Sequence, residues 1–144
     1  MTRRPALLLA LPLILSVVAA SCGDDDDGDN AASGLESTGW VLDDHSLSIE
    51  IPADMEEITI SFASTDVAGN SGCNNYTSSY TTTSDGGLKF GELVTTRKAC
   101  EPDVMAVETA YLGQLSDIVE YEIDGDNLVL SGDAGIELSY TKGG

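Results

Sequence analysis

Residues 72–80 read Gly72-Cys73-Asn74-Asn75-Tyr76-Thr77-Ser78-Ser79-Tyr80, and they combine a turn, a cysteine and a strand pattern. Asn74 and Asn75 follow a glycine and a cysteine, where short amide side chains can satisfy the backbone groups of a turn. From Tyr76 onward the side chains alternate, so that Tyr76 and Tyr80 share one face. This period of two predicts a β-strand with one buried face. We therefore expect structural roles for both asparagines, in preference to ligand binding.

The same alternation recurs on both sides of this stretch and predicts further strands with one solvent-exposed face. The alternating sets are Leu47, Ile49 and Ile51; Ile58, Ile60 and Phe62; Leu88 and Phe90; Tyr121 and Ile123; and Ile136, Leu138 and Tyr140. Segments rich in glycine, asparagine and aspartate separate them and predict tight turns. These segments are Gly69-Asn70, Asp85-Gly86-Gly87, Gly125-Asp126-Asn127 and Gly132-Asp133-Ala134-Gly135. The chain is therefore expected to form an antiparallel meander.

One segment departs from the period of two. After Pro102, apolar side chains recur at steps of three and four, and Pro102 and Asp103 suit the first turn of a helix. The apolar positions are Val104, Val107, Tyr111, Leu115 and Ile118. They predict one amphipathic helix of about four turns. The expected fold class is α+β, an antiparallel meander sheet or an open small β-barrel with one amphipathic helix packed against it.

Residues 1–21 predict an export signal that takes no part in this fold. Arg3 and Arg4 precede an apolar stretch that runs to Ala20, and small residues then lead to Cys22. The apolar stretch is shorter than the ~20 residues that span a bilayer comfortably, which favours a signal peptide over a permanent membrane helix. We therefore expect the protein to be exported.

The end of this signal resembles the lipobox of bacterial lipoproteins. In those proteins small residues precede a cysteine that is acylated on sulfur and becomes the mature N-terminus, and Ala19-Ala20-Ser21-Cys22 has this form. Ala19 stands where the family usually has leucine, so cleavage after Ala20 or Ser21 without lipidation is the alternative. The resemblance implies palmitate at Cys22 and a lipid anchor on the outer face of a bacterial cell membrane. Each buried methylene contributes ~0.8 kcal/mol, so two or three acyl chains would hold the protein there.

Residues 22–34 predict a flexible tether between this anchor and a domain at residues 35–144. The segment contains five aspartates and no large apolar side chain. It cannot bury enough surface to offset the entropy of ordering, and its like charges keep it extended.

Part of the acidic region has the spacing of a calcium-binding loop. Asn30 replaces the turn glycine of such loops, and no helix flanks the segment, so chance spacing is the favoured interpretation. The matching positions are Asp25, Asp27, Asp29 and Glu36. We predict no metal site and no cofactor.

Three cysteines in an exported chain leave a natural pair once Cys22 is acylated. Cys73 and Cys100 are then predicted to form a disulfide. The bond would close a loop of 27 residues and stabilise the fold by about 3.5 kcal/mol. The alternative is a reactive or metal-binding thiol pair, which lacks a nearby histidine and the short C-x-x-C spacing.

The charge of the chain excludes several classes of partner. The chain has 6 basic and 25 acidic residues, a net charge of −19. Without Arg3, Arg4 and the five tether aspartates, the domain keeps a net charge of about −16. Such a surface repels nucleic acids and anionic lipid headgroups. We expect a monomer that binds no nucleic acid, meets the membrane only through its anchor, and has an unidentified protein partner.

An ordered set of motifs resembles the META/HslJ domain family over about residues 36–142. The motifs are Trp40-Val41-Leu42, Gly69, Gly72-Cys73-Asn74-Asn75-Tyr76, Thr96-Arg97 with Ala99-Cys100, Glu108, and Gly125-Asp126-Asn127-Leu128 with Leu130. The resemblance implies a bacterial lipoprotein with one META domain. Members of this family are often secreted or lipid-anchored and are associated with heat-shock, drug-resistance or motility phenotypes. The resemblance implies no agreed enzymatic activity.

The motif residues have physical interpretations of their own. The residues expected to maintain the structure are Trp40, Gly72, Asn74, Asn75, Thr96, Arg97 and Glu108. Arg97 is one of only four basic residues in the domain, and its planar guanidinium is predicted to hold a carboxylate, with Glu108 as the first candidate. On this interpretation, Arg97→Ala lowers the melting temperature.

The residues favour a protein that is not an enzyme. His45 is the only histidine, its polar neighbourhood predicts a solvated loop, and no G-x-S-x-G nucleophile motif occurs. The favoured function is an envelope lipoprotein with a stress-related or interaction role. The alternative is a carrier or chaperone-like module that binds an apolar ligand or peptide in a groove between sheet and helix. A core filled by Phe62, Tyr80, Phe90, Tyr111 and Tyr121 would favour the first function, and an apolar groove the second.

Overall fold

The computed structural model describes residues 34–143. The predicted signal peptide, Cys22 and all but the last residue of the predicted tether lie outside the described residues. The described part contains nine β-strands and one α-helix. They are β1 (Thr38–His45), β2 (Thr59–Phe62), β3 (Asp66–Asn70), β4 (Asn75–Thr82), β5 (Leu88–Phe90), β6 (Val94–Thr95), α1 (Pro102–Ser116), β7 (Ile118–Asp124), β8 (Asn127–Gly132) and β9 (Glu137–Lys142).

The strands form one antiparallel sheet that curls into a nearly closed barrel. Its order is β5-β4-β3-β2-β1-β9-β8-β7, and the short β6 pairs with β4 beside β5. Two meanders, β1 to β5 and β7 to β9, are joined by the pairing of β1 with β9. The two ends of the sheet meet at a bridge between Gly87 and Glu120. The predicted α+β class, with a small barrel and one helix, is confirmed.

Alternating side chains fill the barrel interior. Along β4 every second residue is buried, as the sequence pattern predicts. Phe62 packs edge-on against Tyr80 with ring centroids 5.1 Å apart, and stacks on Phe90 at 6.3 Å. Tyr111 of the helix is also buried, whereas Tyr121 is half-buried. Since burial of each large apolar side chain contributes about 1.5–3 kcal/mol, this cluster is a main source of stability.

Helix α1 begins at Pro102, whose missing N–H costs nothing in the first turn. It ends at Ser116, so the last of the predicted apolar helical positions, Ile118, lies beyond the helix. Ile118 instead begins β7, where it is buried in the same core. The helix buries Val107, Tyr111 and Leu115 on one face, which is the amphipathic arrangement predicted. Within residues 34–143, no helix is long and apolar enough to span a bilayer.

Three local predictions are wrong. The Leu47–Ile51 segment is irregular, because none of the described strands pairs with it. Gly69 and Asn70 end β3, and the turn lies one step later at residues 71–74. A Cβ atom at Gly69 would lie 2.0 Å from the carbonyl oxygen of Thr59, so close strand packing explains this glycine. His45, predicted to be in a solvated loop, ends β1 and is half-buried.

Candidate functional site

Several predicted motif residues meet where the helix approaches the β3–β4 turn and the segment after β6. Glu108, only 6% exposed, lies at the centre. Its Oε2 atom accepts hydrogen bonds from Ser71 Oγ at 2.5 Å and from the backbone N–H of Asn74 at 2.8 Å. Its Oε1 atom accepts one from Asn74 Nδ2 at 2.8 Å. A buried carboxylate is tolerated only with such partners, so this cluster fastens α1 to the turn.

The Asn74 side chain links the helix to the segment after β6. While Nδ2 donates to Glu108, Oδ1 accepts hydrogen bonds from Thr96 Oγ1 at 2.9 Å and from the backbone N–H of Lys98 at 2.6 Å. Nδ2 also donates to the carbonyl oxygen of Lys98 at 3.1 Å. The carboxamide thus uses both of its donors and both acceptor sites, which an aspartate or a leucine could not do. Ser71, Asn74, Thr96 and Glu108 are called the Asn74–Glu108 network below.

The turn that carries this network requires glycine at its second position. Gly72 has a φ of +98°, a region that favours glycine, and a Cβ atom there would lie 2.3 Å from Met55 Cε. Asn70 Oδ1 accepts a hydrogen bond from the N–H of Gly72 at 2.7 Å and closes the turn. Asn75 is exposed, and its backbone N–H donates to Thr96 Oγ1 at 3.1 Å. The Asn75 side chain also takes part, since its Oδ1 atom accepts a hydrogen bond from Asn70 Nδ2 at 3.3 Å. Gly72 therefore acts through its backbone, and Asn75 through both its backbone and its side chain.

A disulfide lies beside the network. Cys73 and Cys100 are bonded, with their sulfur atoms 2.00 Å and their Cα atoms 6.1 Å apart. Cys73 precedes β4, and Cys100 precedes α1. The bond and the Glu108 carboxylate therefore hold the same two elements together, one covalently and one through hydrogen bonds.

Arg97 and Trp40 lie away from this carboxylate. In the part of the chain that the structure describes, Arg97 is exposed and does not pair with Glu108, whose oxygens accept from Ser71 and Asn74 instead. The predicted ion pair is wrong, because a hydroxyl, a backbone N–H and a side-chain amide already supply the donors that the carboxylate needs. Trp40 is buried in β1, and its Nε1 atom donates to Thr38 Oγ1 at 2.8 Å.

A chain of tyrosine hydroxyls crosses the barrel interior. The Tyr76 hydroxyl donates to the carbonyl oxygen of Thr59 at 2.9 Å and lies 2.9 Å from the hydroxyl of Tyr111. The Tyr111 hydroxyl lies 3.1 Å from that of Tyr140. Since each hydroxyl has one proton, Tyr140 donates to Tyr111 and Tyr111 to Tyr76. Burial raises the pKa of all three phenols, and that of Tyr111 reaches about 12.

A groove of about 830 Å³ opens at the seam between β5 and the start of β7. It is called the seam groove below. Apolar side chains of Leu88, Phe90 and Val119 line it, and Val119 is 45% exposed. The charged residues along it are Lys89, Asp117 and Asp133. A concave, mainly apolar surface with a few charged groups is the usual form of a binding site.

A second groove, of about 560 Å³, lies over the outer face of β2, β3 and β4. Val94, 62% exposed, lies on one side, and Asp66 and Glu92 add two carboxylates. It is called the Val94 groove below. Each of the two grooves therefore contains one of the exposed large apolar side chains of the described domain.

The described residues offer little else for chemistry. Within residues 34–143, no group of three or more histidine, cysteine, aspartate or glutamate side chains could hold a metal ion. His45 Nδ1 is buried there without a hydrogen-bond partner.

Sequence reasoning missed several of these features. Ser71 and Glu108 are 37 residues apart, and the Tyr76 and Tyr111 hydroxyls are separated by 35. No local pattern reports contacts at such separations. The only signal for the tyrosine chain was the position of each tyrosine on a buried face. The seam groove gave no signal, because it forms between strands at opposite ends of the sheet.

One comparison with known proteins identifies the family, and two others agree on the fold. A family model described as "META domain" matches residues 33–143. A protein from Burkholderia xenovorans, solved by NMR, has a TM-score of 0.64 and 25% identity, with 99% of each chain covered. A DUF4847 family protein from Bacteroides vulgatus has a TM-score of 0.54 and 11% identity over 74% of this chain and 93% of its own, which shows the fold alone. No curated protein matches the chain. From the match over residues 33–143, the chain belongs to the META domain family.

Proposed function

We propose that this protein is an exported lipoprotein that is anchored through Cys22 and presents a non-enzymatic META domain outside the cytoplasm, where it has a stress-related or interaction role. The observation that supports export most directly is the bond between Cys73 and Cys100. Disulfides persist in oxidising compartments and are rare in the cytosol. The N-terminal segment supports the same location, because it combines a basic start, an apolar stretch and Cys22.

The described domain supports a role in contacts rather than in catalysis. Its one deeply buried carboxylate, that of Glu108, is occupied by three hydrogen bonds and holds the helix in place. The barrel interior is occupied by core side chains. What remains accessible is a strongly acidic outer surface that includes the seam groove and the Val94 groove. A surface of this kind suits binding of a partner more than enclosure of a substrate.

The anchor is tested by intact mass spectrometry of protein extracted from membranes, for the natural chain and for Cys22→Ala. We expect the natural chain to begin at an acylated Cys22 and to gain two hydrogens on reduction. The Cys22→Ala chain should carry no acyl group and should leave the membrane fraction. Acyl label that persists in Cys22→Ala, or an unmodified chain that begins after Ala20 or Ser21, would contradict the anchor.

The role itself is tested in cells that lack the natural gene. Expression of the natural chain should restore survival under heat or envelope stress, and Cys22→Ala should restore it poorly although the domain folds. Equal rescue by both chains would show that the anchor is dispensable for the role.

A carrier or chaperone-like function is the second candidate, and the seam groove is the observation that favours it. The groove lies beside the end of the helix, since Ser116 and Asp117 form part of its lining. A neutral fluorescent naphthylamine provides a direct test of apolar binding. Binding that Val119→Lys abolishes and Val94→Lys preserves would support this function, whereas no binding to either groove would contradict it.

A further inference from the structure

The seam groove lies over strands that are already paired. A bridge between Gly87 and Glu120 joins β5 to β7. The groove covers the outer face of this pairing, since its lining includes the exposed residues Thr81, Lys89 and Val119. An occupant of the groove therefore contacts side chains, because the strand edges beneath it are paired with each other.

A β-bulge directs Val119 into this groove. In the pairing of β7 with β8, Ile118 lies opposite Gly132 and Glu120 lies opposite Ser131, so Val119 is the extra residue. Such bulges bend a strand and turn a side chain to a new direction, and they are common beside active sites. Val119 is 45% exposed, whereas Ile118 before it is buried.

The turn from β8 to β9 forms another wall of the groove. Ala134 in this turn has a φ of +58°, in the left-handed region that residues other than glycine seldom adopt. The turn is packed on the end of α1, because a Cβ atom at Gly132 would lie 2.5 Å from the carbonyl oxygen of Asp117. This contact places Asp133 close to the end of the helix. Unusual backbone of this kind is concentrated at ligand sites.

Negative charge is concentrated where the helix ends in the groove. Asp117 is the C-cap residue of α1, whose last turn contains no basic residue, and the C-terminal end of a helix carries a partial negative charge. Within residues 34–143, neither the Asp117 nor the Asp133 carboxylate takes part in a hydrogen bond or an ion pair. Lys89 supplies one cation against these two carboxylates. The groove therefore keeps an excess of negative charge beside an apolar surface.

We propose that the seam groove binds a small amphiphilic organic cation, a protonated amine with an apolar body. The apolar body packs on Val119, Ala134 and Ile136, and the ammonium group lies at Asp117 and Asp133. The volume of the groove, about 830 Å³, is within the range of about 300–1,000 Å³ for small-molecule sites. Charge complementarity favours this ligand over a neutral or an anionic one. The inference rests on the carrier function given above as the second candidate and names its ligand class.

Three naphthalene compounds that differ mainly in charge provide the probes. They are naphthylmethylamine, a cation at neutral pH, the neutral naphthalenemethanol, and the anion naphthoate. Each is titrated into the isotopically labelled full chain, and amide chemical shifts are followed by NMR. We expect the amine to produce saturable shifts at Val119, Asp133 and Ala134. The amine should bind about fivefold more tightly than the alcohol, and the naphthoate should bind most weakly.

A matched pair of double variants shows where the cation binds. Asp117→Asn with Asp133→Asn removes both carboxylates of the seam groove and should weaken binding of the amine about fivefold, with little change for the alcohol. Asp66→Asn with Glu92→Gln removes two carboxylates from the Val94 groove and changes the net charge equally. This second variant should leave the affinity for the amine nearly unchanged. Lys89→Gln should tighten binding of the amine, because it removes a like charge.

The outcomes that overturn the proposal are distinct. Equal affinities for the amine and the alcohol would show an apolar site without charge selection and would leave the carrier function in place. Equal weakening by the two double variants would show attraction to the acidic surface as a whole. No saturable shift with any of the three compounds would contradict both the cation site and the carrier function. The anchor is judged separately by the mass of the membrane-extracted chain.

Discussion

At the scale of single residues, Glu108 is the residue on which the position of the helix depends most. Three donors from Ser71 and Asn74 point at its two oxygens, in a place that excludes solvent. Removal of one partner from such a cluster leaves buried polar groups unpaired, which costs more than the bond itself contributes. A glutamine side chain has the same shape but cannot replace the carboxylate, since its NH₂ group would face a donor.

We predict that Glu108→Gln lowers the free energy of unfolding by about 2–3 kcal/mol, because the amide places a donor against a donor. Urea denaturation followed by circular dichroism measures the loss. Glu122→Gln, at an exposed position of β7, is the matched control and should change stability by less than about 0.5 kcal/mol. Equal stability of the two variants would show that the network contributes little.

Arg97→Ala should leave the melting temperature nearly unchanged, in contrast to the expectation from sequence. The side chain is exposed, and the carboxylate of Glu108 has other partners. Exposed substitutions of this kind change stability by no more than about 0.5 kcal/mol. Differential scanning calorimetry measures the melting temperature of the variant and of the natural chain. A large fall in the variant would reveal a stabilising partner of Arg97.

At the scale of elements, the helix is held to the barrel at both ends of its buried face. The Cys73–Cys100 bond and Glu108 fix its first half to the start of β4. Further along, Tyr111 joins β4 to β9 through the hydroxyl chain. Gln114 Nε2 donates to the carbonyl oxygen of Ser46 at 3.2 Å near the C-terminal end. A disulfide, hydrogen bonds to a carboxylate and hydrogen bonds between neutral groups thus all hold this helix against the barrel.

The double substitution Cys73→Ser and Cys100→Ser should destabilise the domain by about 3.5 kcal/mol, since the unfolded chain regains the freedom of a 27-residue loop. Urea denaturation of the variant and of the natural chain measures the difference. A reducing agent should lower the stability of the natural chain to that of the variant and leave the variant unaffected. A natural chain that is insensitive to reductant would contradict a stabilising bond.

The tyrosine chain predicts a loss of stability in alkaline solution. Burial raises the phenol pKa values above their ordinary value of about 10, and that of Tyr111 reaches about 12. Above pH 10 the unfolded chain releases protons that the folded chain retains. The contribution of these groups is therefore fully present below about pH 10 and is lost as the pH rises toward about 12.

Urea denaturation between about pH 9 and about pH 12 should show this fall in unfolding free energy. The Tyr111→Phe chain, with one fewer buried phenol, should be less stable at neutral pH and should lose stability less steeply. The part of the phenolate absorbance that Tyr76, Tyr111 and Tyr140 contribute should appear only as the protein unfolds. Early ionisation of Tyr111 in the folded protein would contradict the burial of this chain.

At the scale of the whole molecule, an apolar interior is enclosed by a surface with a large excess of negative charge. The domain has about sixteen more acidic than basic residues, and most of them are exposed on the strands and loops. Repulsion among these charges opposes the compact state, and the same charges keep copies of the protein apart.

We predict that the melting temperature rises as salt increases from about 10 mM to about 150 mM, because screening weakens this repulsion. Potassium and sodium chloride should act equally, since the described residues form no metal-binding cluster. A rise that only calcium produces would instead indicate a specific cation site.

The sequence determined the class of the fold because its signals are local. A period of two correctly indicated most of the strands, and steps of three and four after Pro102 indicated the helix. The motif order identified the family that the comparison over residues 33–143 shows. Charge and the form of the N-terminal segment likewise depend on composition alone, and they led to the proposals of export and anchoring.

Tertiary structure decided the features that depend on distant residues. The tertiary structure places the carboxylate of Glu108 in hydrogen bonds with Asn74 rather than with Arg97, because the fold brings the donors of Asn74 to this buried carboxylate. It left the Leu47–Ile51 segment irregular, because the fold places none of the described strands in pairing contact with it. It also formed the seam groove, since closing a sheet brings together its first and last edges, and no local pattern encodes how completely those edges pair.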